Sequence, residues 1–102
     1  AVSGLKRSPL APDLPTIDES GLKGYELTAW FAAYAPAKTP MPTIEKLNAA
    51  FREALADNDV SSKLLAAGIE LEASTPDELR KFQATETQKW DKIARDAKIE
   101  KE

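Results

Sequence analysis

An α/β arrangement of three to four helices with two or three short strands is the fold class this sequence predicts. Three observations carry it. Ile44, Leu47, Phe51 and Leu55 recur at steps of three and four, drawing a single apolar stripe along a helix. Ile69-Glu70-Leu71-Glu72-Ala73 alternates apolar and polar residues, the period of a strand covered on one face. Thr75-Pro76-Asp77-Glu78 has the chemistry of a helix start: a capping hydroxyl, proline in the first position, acids in the first turn and a glutamate placed to cap in return.

In chain order, residues 1–24 are rich in loops, because Pro9, Pro12 and Pro15 interrupt regular structure and leave only Ala1-Val2 as a strand end. Thr16-Ile17-Asp18-Glu19 fits a capping box and Gly21 a left-handed helix end, which predicts a helix of one or two turns. From Gly24 to Pro36 the β-formers Tyr25, Leu27, Trp30, Phe31 and Tyr34 predict an extended segment. Glu26 and Thr28 alternate with apolar neighbours at first. From Ala29 to Ala35 the alternation gives way to a continuous apolar run, as in a strand leaving a sheet edge for a buried place. Thr39-Pro40-Met41-Pro42 starts the striped helix, proline being tolerated in a first turn. Asp57-Asn58-Asp59 ends that helix and caps a second one carrying Val60, Leu64 and Leu65, which closes at Gly68. The last helix is long, with Leu79, Phe82, Trp90, Ile93 and Ala97 expected on its buried face.

Composition narrows the function. A chain of 102 residues buries roughly 60–70% of its extended surface on folding, enough for a core without staples. Hydrophobic content of 42% with 30% charged residues is that of an ordinary globular chain. The net charge of −3 is spread along the sequence and offers no footprint for nucleic acid. No apolar run approaches the roughly 20 residues of a membrane span. Lys6 and Arg7 precede prolines rather than an apolar stretch, so an exported parent is expected to carry its signal upstream of residue 1. Cysteine and histidine are both absent, which removes the thiolate nucleophile, the commonest general base and the usual metal ligands. No enzyme activity, cofactor or metal is expected.

Each candidate for chemistry has a plainer role beside it. Ser3-Gly4-Leu5-Lys6 has the spacing of Ser/Lys acyl enzymes, but those place it at a helix start, whereas a loop surrounds it here. Asp18 with Glu19, Asp57 with Asp59 and Asp77 with Glu78 all lie at helix termini, where capping accounts for them better than acid/base pairing. Trp30 and Phe31 are suited to flooring a ligand cleft or to filling a core; Trp90, at helical spacing from Ile93, reads as core. Lys6 and Arg7 suit a carboxylate ligand or a solvated loop.

The order of features resembles a known family. Ala1-Val2-Ser3, Lys6-Arg7-Ser8-Pro9, Pro12-Asp13-Leu14-Pro15-Thr16, Glu19, Gly21 and Gly24-Tyr25-Glu26 are similar to the late part of tripartite tricarboxylate transporter substrate-binding receptors, the Bug receptors. The likeness continues through Trp30-Phe31, Ala35-Pro36-Ala37, Thr39-Pro40, Leu47-Asn48, Gly68, Ser74-Thr75-Pro76, Trp90 and Ala97-Lys98-Ile99. No single piece is specific; their order and spacing are. The resemblance implies a fragment of a two-lobed, type II-like periplasmic binding protein whose lobes close on small carboxylates: dicarboxylates, amino acids or related organic acids. It implies a periplasmic location, handover to the subunits of a membrane transporter, and no nucleic-acid partner.

On that frame residues 1–25 are the loop-rich tail of the second lobe, 26–36 a crossover strand or hinge, and 37–102 the C-terminal helices and strand of the first lobe. Trp30, Phe31 and Ala32 are then the expected ligand-binding residues. Ala32 departs from the family, which tends to carry glycine two residues after the tryptophan, where the absence of a side chain allows close approach of the backbone to ligand or a neighbouring strand. The family's carboxylate-binding loops lie mostly upstream of residue 1, so the chain alone is not expected to bind ligand with native affinity. Unpaired strand edges at 24–34 and 69–73 predict a homodimer of the fragment, formed by strand pairing or exchange. A free-standing α+β interaction module and a small hydrolase built on Ser3 and Lys6 are the competing readings.

Overall fold

The computed structural model describes residues 1–100. Three helices form: α1 over Met41–Ala56, α2 over Asn58–Ala66 and α3 over Pro76–Asp96. Each starts where local chemistry dictates. Pro40 stands at the N-cap of α1, with Pro42 in the first turn where no intrahelical donor is lost. Asp57 caps α2 by accepting from the amides of Asp59 and Val60 at 2.9 and 3.1 Å. Thr75 and Glu78 form a reciprocal box at α3: the Glu78 amide donates to Thr75 Oγ1 at 3.2 Å, and the Thr75 amide to Glu78 Oε2 at 2.7 Å. Gly68 ends the second helical unit at φ +82°, a left-handed geometry that costs a side-chain-bearing residue more than glycine.

The α/β expectation is overturned. No strand forms among the described residues; an isolated parallel bridge between Val2 and Thr16 is all the sheet-like pairing there is. Residues 25–36 and 69–75 run without regular structure. The alternating pattern is present, but a strand exists only through a ladder with a neighbour, and a single backbone bond, from the Leu27 amide to the Ser3 carbonyl, does not make one. The short helix expected at Thr16–Gly21 is also absent as such. Its capping box closes, with Thr16 and Glu19 exchanging bonds of 3.0 and 3.1 Å, yet only a single turn follows before Gly21 at φ +115°. One turn bears the nucleation cost without the propagation that repays it.

The core expectation fails too. Helix α1 packs on both α2 and α3, yet no apolar residue is buried among the described residues. Trp90 and Ile93, expected in a core, are each 42% exposed. The residues out of solvent are Thr16 and Glu86. The chain exposes 8537 Å², against roughly 5,650 Å² for a folded monomer of its 11.1 kDa mass. About 2,900 Å² of surface that a typical monomer would cover is therefore open. The molecule is a flattened body of 44 × 38 × 21 Å, with its apolar stripes aligned but only half covered.

Candidate functional site

The irregular segment after Gly24 is held to the helices at a few points. The Leu27 amide donates to the Ser3 carbonyl at 2.9 Å, and the Tyr34 hydroxyl donates to Gln83 Oε1 on α3 at 3.1 Å. Trp30 meets Phe82 of α3 edge to face, ring centroids 5.2 Å apart and planes at 77°, the arrangement that brings a positive ring edge to a negative face. Lys89 lies 3.7 Å from Glu26 and 3.6 Å from Glu86. Glu86 in turn accepts from the Trp90 indole at 3.1 Å. That partnership explains how an acid comes to be buried in mid-helix.

These contacts leave an open hollow of about 670 Å³ between residues 30–33, α1 and the start of α3. Trp30, Phe51, Leu55, Leu79 and Phe82 make its apolar walls, and Phe31 and Ala32 lie along it. Phe31 itself stays 86% exposed. Asn48 fixes one side by donating from Nδ2 to the Ser74 carbonyl at 2.8 Å, which ties α1 to the residues before α3. The charged residues lining the hollow are Glu72 and Glu78. The Thr75 amide, and then its hydroxyl, hold the Glu78 carboxyl below its usual 4.5, with Arg52 and Lys81 adding to the effect.

Trp30, Phe31 and Ala32 thus border one hollow. Its other walls lay in the helical stripes, where Phe51, Leu55, Leu79 and Phe82 carried a packing signal rather than a site signal. Asn48 had no local signal beyond its place beside Leu47. Arg7 is engaged elsewhere: its Nε donates to Glu19 at 2.9 Å and a terminal nitrogen to the Pro12 carbonyl at 3.3 Å. Ser3 and Lys6 lie in a bend rather than at a helix start, so no helical turn carries the lysine beneath the serine. Asp18 accepts from the Gly24 amide at 2.7 Å and from Lys23 at 3.2 Å, and both contacts lower its pKa. No group of three or more metal-ligating side chains occurs among the described residues, and none of their helices is long and apolar enough to cross a membrane.

The hollow is an open apolar surface with two acids in its lining, of which Glu78 is engaged in the cap of α3. Residues 1–99 match the tripartite tricarboxylate transporter family receptor, and the chain belongs to that family of solute-binding transport receptors. It is 38% identical over 93 residues to the UPF0065 protein in the tcbD-tcbE intergenic region of Pseudomonas sp. strain P51, covering 90% of this chain and 28% of that protein. It is 42% identical over 88 residues to the UPF0065 protein in the TAR-I ttuE-ttuC' intergenic region of Agrobacterium vitis, covering 82% and 25%. Protein BugT of Bordetella pertussis is 34% identical over 96 residues, covering 94% and 29%. The chain thus spans between 25% and 29% of these relatives' length. No solved structure matches it significantly.

Proposed function

We propose that the chain is the C-terminal portion of a periplasmic receptor that captures small carboxylates and delivers them to the membrane subunits of a tripartite tricarboxylate transporter. The observation that carries this reading is the family match over residues 1–99. The ligand class is a dicarboxylate, an amino acid or a related organic acid. Residues 1–25 belong to the second lobe, 26–36 to the crossover, and 37–102 to the helical end of the first lobe. Trp30, Phe31 and Ala32 contribute an aromatic wall for the organic part of the ligand.

The chain by itself is not the receptor. Its hollow is lined by Glu72 and Glu78 and by no lysine or arginine, so an entering carboxylate meets like charge at the lining, while Arg52 and Lys81 act on Glu78 from outside it. Loop amides and helix N-termini elsewhere in a full receptor supply the anion site. The open 2,900 Å² or so is the surface such a partner portion covers. A homodimer of the isolated chain uses that same surface.

A chimera tests the assignment. This chain replaces the matched segment of BugT, and thermal unfolding is followed by circular dichroism. A single cooperative transition is the expected outcome, because the chain's apolar faces find the neighbours they were selected to meet. A chimera that unfolds without cooperativity, while intact BugT unfolds in one transition, contradicts the reading.

A further inference from the structure

We infer that Lys89 is the positioning residue for Trp30: a single cation that clamps the tryptophan's segment onto α3 by standing between two acids. Glu26, Trp30 and Tyr34 are spaced four residues apart and meet Lys89, Phe82 and Gln83 of α3. The segment therefore lies against α3 in the opposite direction to the helix. Its backbone does little to hold it there. The Leu27 amide bonds to the Ser3 carbonyl, and residues 28–35 exchange no backbone hydrogen bond among the described residues. The Lys89 contact also differs in kind from the other ion pairs of the described residues. Those join residues of one loop or one helical turn, and each leaves at least one side chain 47% exposed or more. Lys89 instead joins a segment to a helix, at 27% exposure, with Glu86 at 11%.

At 3.7 and 3.6 Å the Lys89 ammonium makes charge contacts rather than short hydrogen bonds, and such pairs add little by themselves. The weight of Lys89 lies in what its removal leaves. Both carboxylates lie within reach of one nitrogen, so they are no more than about 7 Å apart, inside the roughly 8–10 Å over which charges act through ordinary salt. Glu86 cannot turn away to water, because it is buried and its other oxygen accepts from the Trp90 indole. Without the lysine two acids face each other, one of them fixed, and the free segment is the part that moves. Without Glu26, by contrast, a paired Lys89 and Glu86 remain. The two ends of the clamp are therefore unequal, which sets it apart from simple packing. The clamp belongs to these residues alone; its use in holding a ligand wall rests on the proposed function.

Nuclear magnetic resonance on the 102-residue chain tests it without any ligand. Two readouts are followed: cross-relaxation between the Trp30 and Phe82 rings, and exchange of the Leu27 amide, whose bond to Ser3 closes next to Glu26. Lys89→Met is expected to weaken the ring contact and to speed Leu27 exchange by about threefold to fivefold, the scale of one partly exposed charge contact. Lys89→Arg keeps both readouts. Glu26→Gln alone changes them little, and Glu26→Gln added to Lys89→Met restores them, because a neutral amide does not repel Glu86. Lys89→Met with both readouts unchanged overturns the inference. So does a double variant as open as Lys89→Met, or an unmodified chain in which the Trp30 and Phe82 rings show no contact. If circular dichroism shows that Lys89→Met loses helix, Glu26→Lys decides, since it sets a second cation before Lys89 from outside α3. It is expected to open the segment, and a segment that stays closed overturns the inference.

Discussion

Glu78 and Thr75 satisfy each other's backbone amides, and the same exchange recurs between Glu19 and Thr16. A carboxylate used this way is worth more folded than unfolded. The Thr75 amide lowers the Glu78 pKa, the Thr16 amide lowers that of Glu19 with help from Arg7, and the Gly24 amide lowers that of Asp18 with help from Lys23. Because the folded values lie below the ordinary 3.8 for aspartate and 4.5 for glutamate, the stabilisation is full above those values. It is lost as pH falls through the lowered ones. Acid titration followed by circular dichroism is therefore expected to hold flat down to the ordinary carboxylate range and decline below it, with a smaller decline in Glu78→Gln. Thr75→Ala is expected to cost about 1 kcal/mol through the lost cap, measured by urea unfolding. These caps were legible from residue types at fixed offsets, because both partners lie within one turn. Asn48 and Glu86 were not: Asn48 acts on a carbonyl 26 residues away, and Glu86 owes its burial to packing that no short window encodes.

Among the elements, the three long helices were readable and the strands were not, for one physical reason. A helix satisfies its backbone within a single segment, so caps and a period of 3.6 suffice to specify it. The alternation at 69–73 and the β-formers at 24–36 specify only a readiness to pair. Without a neighbouring chain they stay irregular, and what fixes Trp30 is α3. The Trp30–Phe82 contact is worth about 0.5–1.5 kcal/mol beyond area burial. Trp30→Ala is expected to release the segment from α3, seen as faster hydrogen exchange at residues 24–36 with helicity of α1 and α3 preserved. Unchanged exchange there would mean that the Tyr34–Gln83 and Lys89–Glu26 contacts suffice.

For the whole molecule, the absence of any buried apolar residue among the described ones outweighs the neatness of its helices. Stripes that sequence reasoning assigned to a core face outward or into an open hollow, because the layer that would cover them is not in these residues. The relatives, of which the chain spans 25–29%, have the length to supply that layer. On the proposed reading, capture of a carboxylate depends on the complete receptor, while the chain contributes aromatic wall and helical support. The measurement that bears on this most directly is a calorimetric titration with a panel of dicarboxylates. It is made on the chain alone, and on the chain joined to the part of the Agrobacterium vitis relative that the match leaves out. The account predicts saturable binding with a dissociation constant on the order of micromolar for the joined protein and none for the chain alone. Micromolar, saturable binding by the isolated chain would contradict it.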